Sequence, residues 1–231
     1  MAIENAGQNT TDTSGTTLDS GASVNLKGSY VELVSSTGIN CEWMYIQLKG
    51  DTSGSLQYNV DIAIGAVSSE VVIIEDIVFF EKDGRYSESI IVPIQISSGS
   101  RVSARSSDNS SSARQVDIII SFSDDDGFGT CSNIDTIGVS SGKGVIIDPG
   151  ATINTQGSYT ELVASSANTY NWFVIMINYN VNGTQTDNSR WLIELATGAT
   201  SSEVPLVEGI IVSTSAAECG SSRFRVIQAT I

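Results

Sequence analysis

The chain has 231 residues, 40% of them hydrophobic and 7% aromatic, which is enough for one or two packed cores and rules out a wholly disordered chain. Its formal charge of −15, from 26 acidic and 11 basic residues, repels phosphate backbones and anionic lipid heads, so neither nucleic acid nor a membrane is expected as a partner. Histidine is absent and the three cysteines, Cys41, Cys131 and Cys219, have no CxxC spacing, so no zinc site, disulfide framework or other cofactor is expected.

The apolar residues are mostly Val, Ile, Ala and Leu scattered among Ser, Thr, Gly and Asn, which favours strands over long surface helices. Residues 1–15, "MAIENAGQNTTDTSG", are polar and predict a flexible N-terminal arm, either a loose terminus or a strand that pairs with a neighbouring subunit. This start has no basic and apolar segments of a secretory signal, and no apolar run approaches the roughly 20 residues that span a bilayer. A soluble protein made in a cytoplasm is expected.

From residue 15 onward the chain repeats itself. "GSYVELVSS" at 28–36 returns as "GSYTELVASS" at 157–166, an offset of 129 that holds without a gap from Gly15 and Gly144 to Leu48 and Ile177. Tyr30 and Leu33 match Tyr159 and Leu162, and Trp43 matches Trp172. "GAVSSEV" at 65–71 then returns as "GATSSEV" at 198–204, an offset of 133, so the second copy has gained four residues in the turn between. The phrase reads as the first strand of each copy, with Tyr and Leu turned inward.

Residues 41–48 and 170–177 are apolar at nearly every position, as in a strand buried on both faces. Clean alternation follows at Tyr58, Val60, Ile62 and Ile64, matched by Trp191, Ile193, Leu195 and Thr197, so one face is core. Further strands are expected at 71–80, 89–96, 101–105 and 116–122, with turn residues between them at the spacing of a sandwich or jelly roll. The prediction is an all-β protein of two tandem antiparallel, jelly-roll-like β-sandwiches: residues 16–123 and a shorter 145–231, joined by a Gly-, Ser- and Asp-rich linker at 124–144. Its repeat core comprises Tyr30, Leu33, Trp43, Tyr159, Leu162, Trp172 and Trp191.

The second copy is short. The first runs 52 residues past Glu70 to Phe122, the second 28 past Glu203, and "SGSRVSARSS" and "QVDIIISF" have no counterpart. Two strands are therefore expected to be missing, leaving edges that a neighbouring subunit, another protein's arm or further residues would close, unless the copy closes with fewer strands.

Catalysis finds no footing. Without histidine there is no Ser-His-Asp or Cys-His pair, SxxK and GxSxG are absent, and Asp124, Asp125 and Asp126 do not have the spacing of a calcium loop. Glu32 and Glu70 recur as Glu161 and Glu203, which suits a repeated structural role better than paired acid–base carboxylates. Arg101 and Arg105 share a strand face and, with Ile231, are candidate contacts between subunits. The tryptophans are core by position, with a sugar-stacking platform as the alternative.

Taken together, "GSYxELVxSS", the Trp-containing strand, "DIAIGAVSSEVVI" and "VPIQISSGSRVSARSS" resemble the β-sandwich virion proteins of tailed bacteriophages, a group that includes head decoration (cement) proteins and fibre modules. The resemblance implies a non-enzymatic structural protein on the outer surface of the phage head, oligomeric and often trimeric, that bridges subunits of the major capsid protein or another virion protein. The alternative within the same group is a tail or head fibre module that binds host-surface carbohydrate.

Overall fold

The computed structural model describes residues 1–9, 14–50, 55–82, 87–125, 131, 134–140, 143–148, 152, 155–177, 189–214 and 223–228. These contain strands and no helix, hence no helix long and apolar enough to cross a membrane. All strand pairs are antiparallel. The chain divides into two compact units, Met1–Gly144 and Val145–Ile231.

The first unit holds β1 (Ile3–Ala6), β2 (Thr16–Asp19), β3 (Val31–Val34), β4 (Cys41–Gly50), β5 (Ser55–Ile64), β6 (Val71–Lys82), β7 (Ser87–Ile96), β8 (Val102–Asp108) and β9 (Gln115–Ser123), followed by the two-residue pair β10 (Val139–Ser140) and β11 (Lys143–Gly144). One sheet runs β1-β9-β4-β7, with β2 also on β9, and the other runs β3-β8-β5-β6. Counting β1 and β2 as one interrupted edge, this is the strand order of a jelly roll, in which the last two strands lie inside the two sheets.

Period-two alternation selects the core. Met44, Ile46 and Leu48 of β4, Val116, Ile118, Ile120 and Phe122 of β9, and Tyr58, Val60 and Ile62 of β5 are buried, and Tyr58 stacks on Phe79 with ring centroids 5.8 Å apart. The alternation corrects the expectation that residues 41–48 are buried on both faces: Trp43 and Tyr45 lie opposite Met44 and Ile46 and are half-buried. Of the expected repeat core, Leu33 is buried, while Tyr30, Trp43, Leu162 and Trp172 are half-buried and Tyr159 is 40% exposed. The side chain of Trp191, with Cys219 and Ile231, lies outside the described residues.

The expected N-terminal arm is largely part of this unit's own sheet. β1 pairs with Ile120–Ser123 of β9 and β2 with the Gln115–Ile118 stretch, so together they cover the edge of a nine-residue strand that neither could cover alone. The expected linker also touches the first unit, where the Gln95 N–H donates to the Cys131 carbonyl and the Thr136 hydroxyl to the Glu75 carbonyl.

The second unit holds β12 (Trp172–Ile177), β13 (Ser189–Thr197), β14 (Val204–Thr214) and β15 (Arg223–Gln228), paired as β12–β15 and β13–β14. The β5–β6 pair and the β13–β14 pair share their irregularities. Register shifts at Val60/Ile62/Ala63 fall at Ile193/Leu195/Ala196, and the left-handed residues Gly65, Ser68 and Asp76 fall at Gly198, Ser201 and Gly209, always 133 positions on. A β-carbon on Gly65 or Gly198 would sit 3.0 or 2.8 Å from the carbonyl oxygen of Ser69 or Ser202, in addition to the cost of φ near +110° or +120°.

Beyond these four strands the two units differ. Residues 145–148 and 160–163, which align with β2 and β3, are not strands, and among the described residues nothing takes the places of β8 and β9. In the first unit β2 pairs only with β9 and β3 only with β8, so without those neighbours the same phrase has no ladder to join.

Replacing the fully buried Ile118 with Ala removes a central strand's core contact and should cost about 2–5 kcal/mol. Hydrogen exchange of the β4 and β9 amides reads this as a matching loss of protection.

Candidate interaction site

The outer face of the β3-β8-β5-β6 sheet carries a network of ionised side chains. Its centre is Asp61 on β5, fully buried although charged, because β8 lies alongside with Arg105 as its cross-strand partner. Arg105 Nε meets Asp61 Oδ2 at 2.8 Å and Lys27 Nζ meets Oδ1 at 2.7 Å, while the Asp76 N–H donates to Oδ1 at 3.0 Å. Lys27 also pairs with Asp76, whose left-handed backbone (φ 53°) lets it turn back to that ammonium. Arg105 lies over the Tyr30 ring, 4.6 Å from its centroid, which is why Tyr30 faces outward and not into the core.

Burial alone would raise the Asp61 carboxyl. The hydrogen bonds from Lys27 and from the Asp76 backbone, with Arg105, outweigh it and hold the carboxyl below its ordinary value.

Arg101, immediately before β8, forms a second socket. Its Nε meets Glu32 Oε2 at 2.8 Å, and its Nη1 meets Glu70 Oε1 at 3.3 Å and donates to the Gly65 carbonyl at 3.0 Å. The Gly65 N–H returns a bond to the Arg101 carbonyl. Arg101 and Arg105, expected to reach a neighbouring subunit, are therefore occupied by carboxylates of their own unit, which reach them because β3 and β5 flank β8. Lys27 and Asp76 were not singled out from the sequence; the one signal for them was an acidic residue inside the apolar alternation of β5.

The aligned positions of the second unit carry the same acceptors. Glu161, Glu203 and Gly198 stand where Glu32, Glu70 and Gly65 form the Arg101 socket, and Glu194 and Tyr159 stand where Asp61 and Tyr30 hold Arg105. Gln156 replaces Lys27 and donates to Glu194, which also accepts from the Tyr159 hydroxyl at 2.9 Å. That hydrogen bond to Glu194 raises the Tyr159 phenol above its ordinary value. Among the described residues neither Glu161 nor Glu203 has an ion-pair partner.

The described residues contain no cluster of three or more His, Cys, Asp or Glu placed to hold a metal. A shallow, open depression between Ser35, Ile64, Val71 and Arg101 offers no converging polar groups beyond those already paired. Cys41 is buried, donates its thiol to the Trp43 and Ile94 carbonyls, and is pushed up to about 11 by burial, the opposite of an activated nucleophile. The Tyr58 ring is in the core.

Comparison with family models, with curated proteins and with solved structures finds no match to this chain.

Replacing Asp61 with Asn leaves Lys27 and Arg105 facing each other without their buried counter-charge and should cost about 3 kcal/mol at pH 7. Because the folded carboxyl is depressed, its contribution is present above about pH 4 and disappears as the pH falls through the folded value. The difference in denaturant midpoint between parent and variant should therefore be wide at pH 7 and narrow progressively as the pH is lowered below about 4.

Proposed function

We propose that the chain is a non-enzymatic structural protein of a tailed-phage virion, a capsid decoration protein on the outer surface of the head that bridges capsid subunits. One observation carries the reading: among the described residues the second unit's four strands form two separate pairs and not the two multi-stranded sheets of the first unit. Unpaired edges are selected against in proteins that work alone, since they template aggregation. They are useful where the working state is an assembly.

The rest agrees. Asp61, Lys27, Arg101 and Arg105 are committed to ion pairs within the first unit, and the buried thiol is deactivated, which suits a holding role. The net charge of −15 suits a surface crowded on a particle and facing solvent. The resemblance of "GSYxELVxSS" and "VPIQISSGSRVSARSS" to virion sandwiches supports that location and, with it, an oligomer, a trimer in the group it resembles, assembled after synthesis in a host cytoplasm. Bridging would work by burying complementary surface between subunits, on the scale of about 1,600 Å² that a stable interface needs.

Mixing the purified chain with phage heads that lack it and sedimenting the mixture tests this directly. Co-migration at a fixed stoichiometry, with heads that withstand higher temperature, is the expected result; heads that sediment bare remove the proposal.

A further inference from the structure

We propose that the first unit cross-links itself: the Lys27 amine displaces ammonia from the Asn59 side-chain amide, with the Asp76 carboxylate carrying the protons. The inference goes beyond the capsid reading and does not depend on it, since every group involved belongs to one unit of one chain.

The three groups meet on the outer face of the β3-β8-β5-β6 sheet. Asp76 Oδ1 accepts from Lys27 Nζ and, at 3.4 Å, from Asn59 Nδ2, so a single carboxylate oxygen holds the amine and the amide two hydrogen bonds apart. Asn59 is 1% exposed, and its Oδ1 is buried with no hydrogen-bond partner among the described residues. Buried polar atoms are satisfied as a rule, so an orphaned amide oxygen beside an amine asks for a reason. The Lys27 and Asp76 side chains are 21% and 16% exposed, which leaves little water around them. Asp61 steadies the ammonium through Oδ1 at 2.7 Å. Its carboxyl is held below the ordinary value, so it stays ionised and Asp76 is the better proton acceptor.

The internal repeat gives an independent comparison. At the aligned positions of the second unit Lys27, Asn59 and Asp76 are Gln156, Leu192 and Gly209, so amine, amide and carboxylate have gone together. Glu194 still stands at the place of Asp61. An ion pair accounts for the joint loss of Lys27 and Asp76, but not for the loss of the amide. The backbone points the same way. Position 76 lies in the bulge of β6 at φ 53°, where the copy has Gly209 at φ 72°. Glycine is the easy residue there, and the first unit keeps a carboxylate instead.

The reaction needs no oxidant and no cofactor. Asp76 takes a proton from the Lys27 ammonium. A half-turn of Asn59 about χ2 then brings Oδ1 toward Asp76 without giving up any bond at that oxygen, and the protonated carboxyl donates to it, polarising the carbonyl. The Nζ lone pair attacks Cγ, the Nζ–Cγ bond forms and the Cγ–Nδ2 bond breaks. Nδ2 keeps its two hydrogens, collects the two that Nζ has lost and departs as ammonium, so one cation enters and one leaves. Holding the amine and the amide together in a water-poor site supplies the proximity that the same groups lack in solution. Asp61 keeps Arg105 and the Asp76 N–H, and the new amide N–H replaces the ammonium as its third donor.

Intact-mass spectrometry of the denatured full chain, after incubation of the folded protein at physiological temperature, tests this. The parent should weigh less than its sequence by one ammonia, about 17 Da, and its protease digest should contain a peptide pair joined through positions 27 and 59. Lys27→Arg, which keeps the positive charge and the fold, should retain its full mass, as should Asp76→Ala. A parent of full mass overturns the proposal. So does a deficit that persists in Lys27→Arg, which is a cyclised asparagine, or a loss of one water, about 18 Da, which joins Lys27 to a carboxylate. No phage head enters the measurement, so its outcome and that of co-sedimentation are separate results.

Discussion

A strand exists only if its backbone donors and acceptors find another strand, and in this protein that constraint falls on two segments, β8 and β9. Each is one of the two inner members of its sheet. Through them β2 and β3 become strands, β4 and β5 acquire second neighbours, and the apolar faces of both sheets are sealed. The nearly identical phrases beginning at Gly28 and Gly157 make the comparison within one molecule: the first forms β3, the second forms no strand, although their intrinsic preferences are the same. Tertiary context, not propensity, decides between them.

The charged face depends on the same two segments. Asp61 can be buried as an anion only because β8 brings Arg105 alongside and the loop before β3 brings Lys27; a single partner would not compensate the loss of hydration. Such a network adds little stability over an apolar replacement, but it discriminates strongly against alternative registers. A two-residue slip of β8 would place Arg105 against a wrong partner and leave Asp61 Oδ2 without its guanidinium. The polar layer therefore specifies which strand belongs beside β5, while the apolar layer supplies the drive.

Much of this was legible in the sequence. Alternation at Tyr58, Val60 and Ile62 gave the inward face of β5, the turn residues gave the strand boundaries to within a few positions, and the offsets of 129 and 133 led to bulges and left-handed residues that coincide in the two units. Other features were hidden because they depend on neighbours distant in sequence. Trp43 read as core in a run apolar at nearly every position, and only pairing reveals that Met44 takes that face. Tyr30 faces outward because an arginine 75 positions later covers it. The polar composition of the first residues suggested a free arm, yet Ala6 is buried and β1 pairs along the edge of β9.

Gly28 has an implication for how the molecule comes together. A β-carbon there would meet the Asp19 carbonyl oxygen at 1.9 Å, and its own N–H donates to the carbonyl of Ser106, so the chain is threaded tightly at a point where the first thirty residues meet the last quarter of the unit. Thr16 likewise waits for Ile118. During synthesis the segment from Thr16 to Gly28 must therefore wait unpaired until about a hundred later residues have emerged, so an early-made stretch is among the last to find its place.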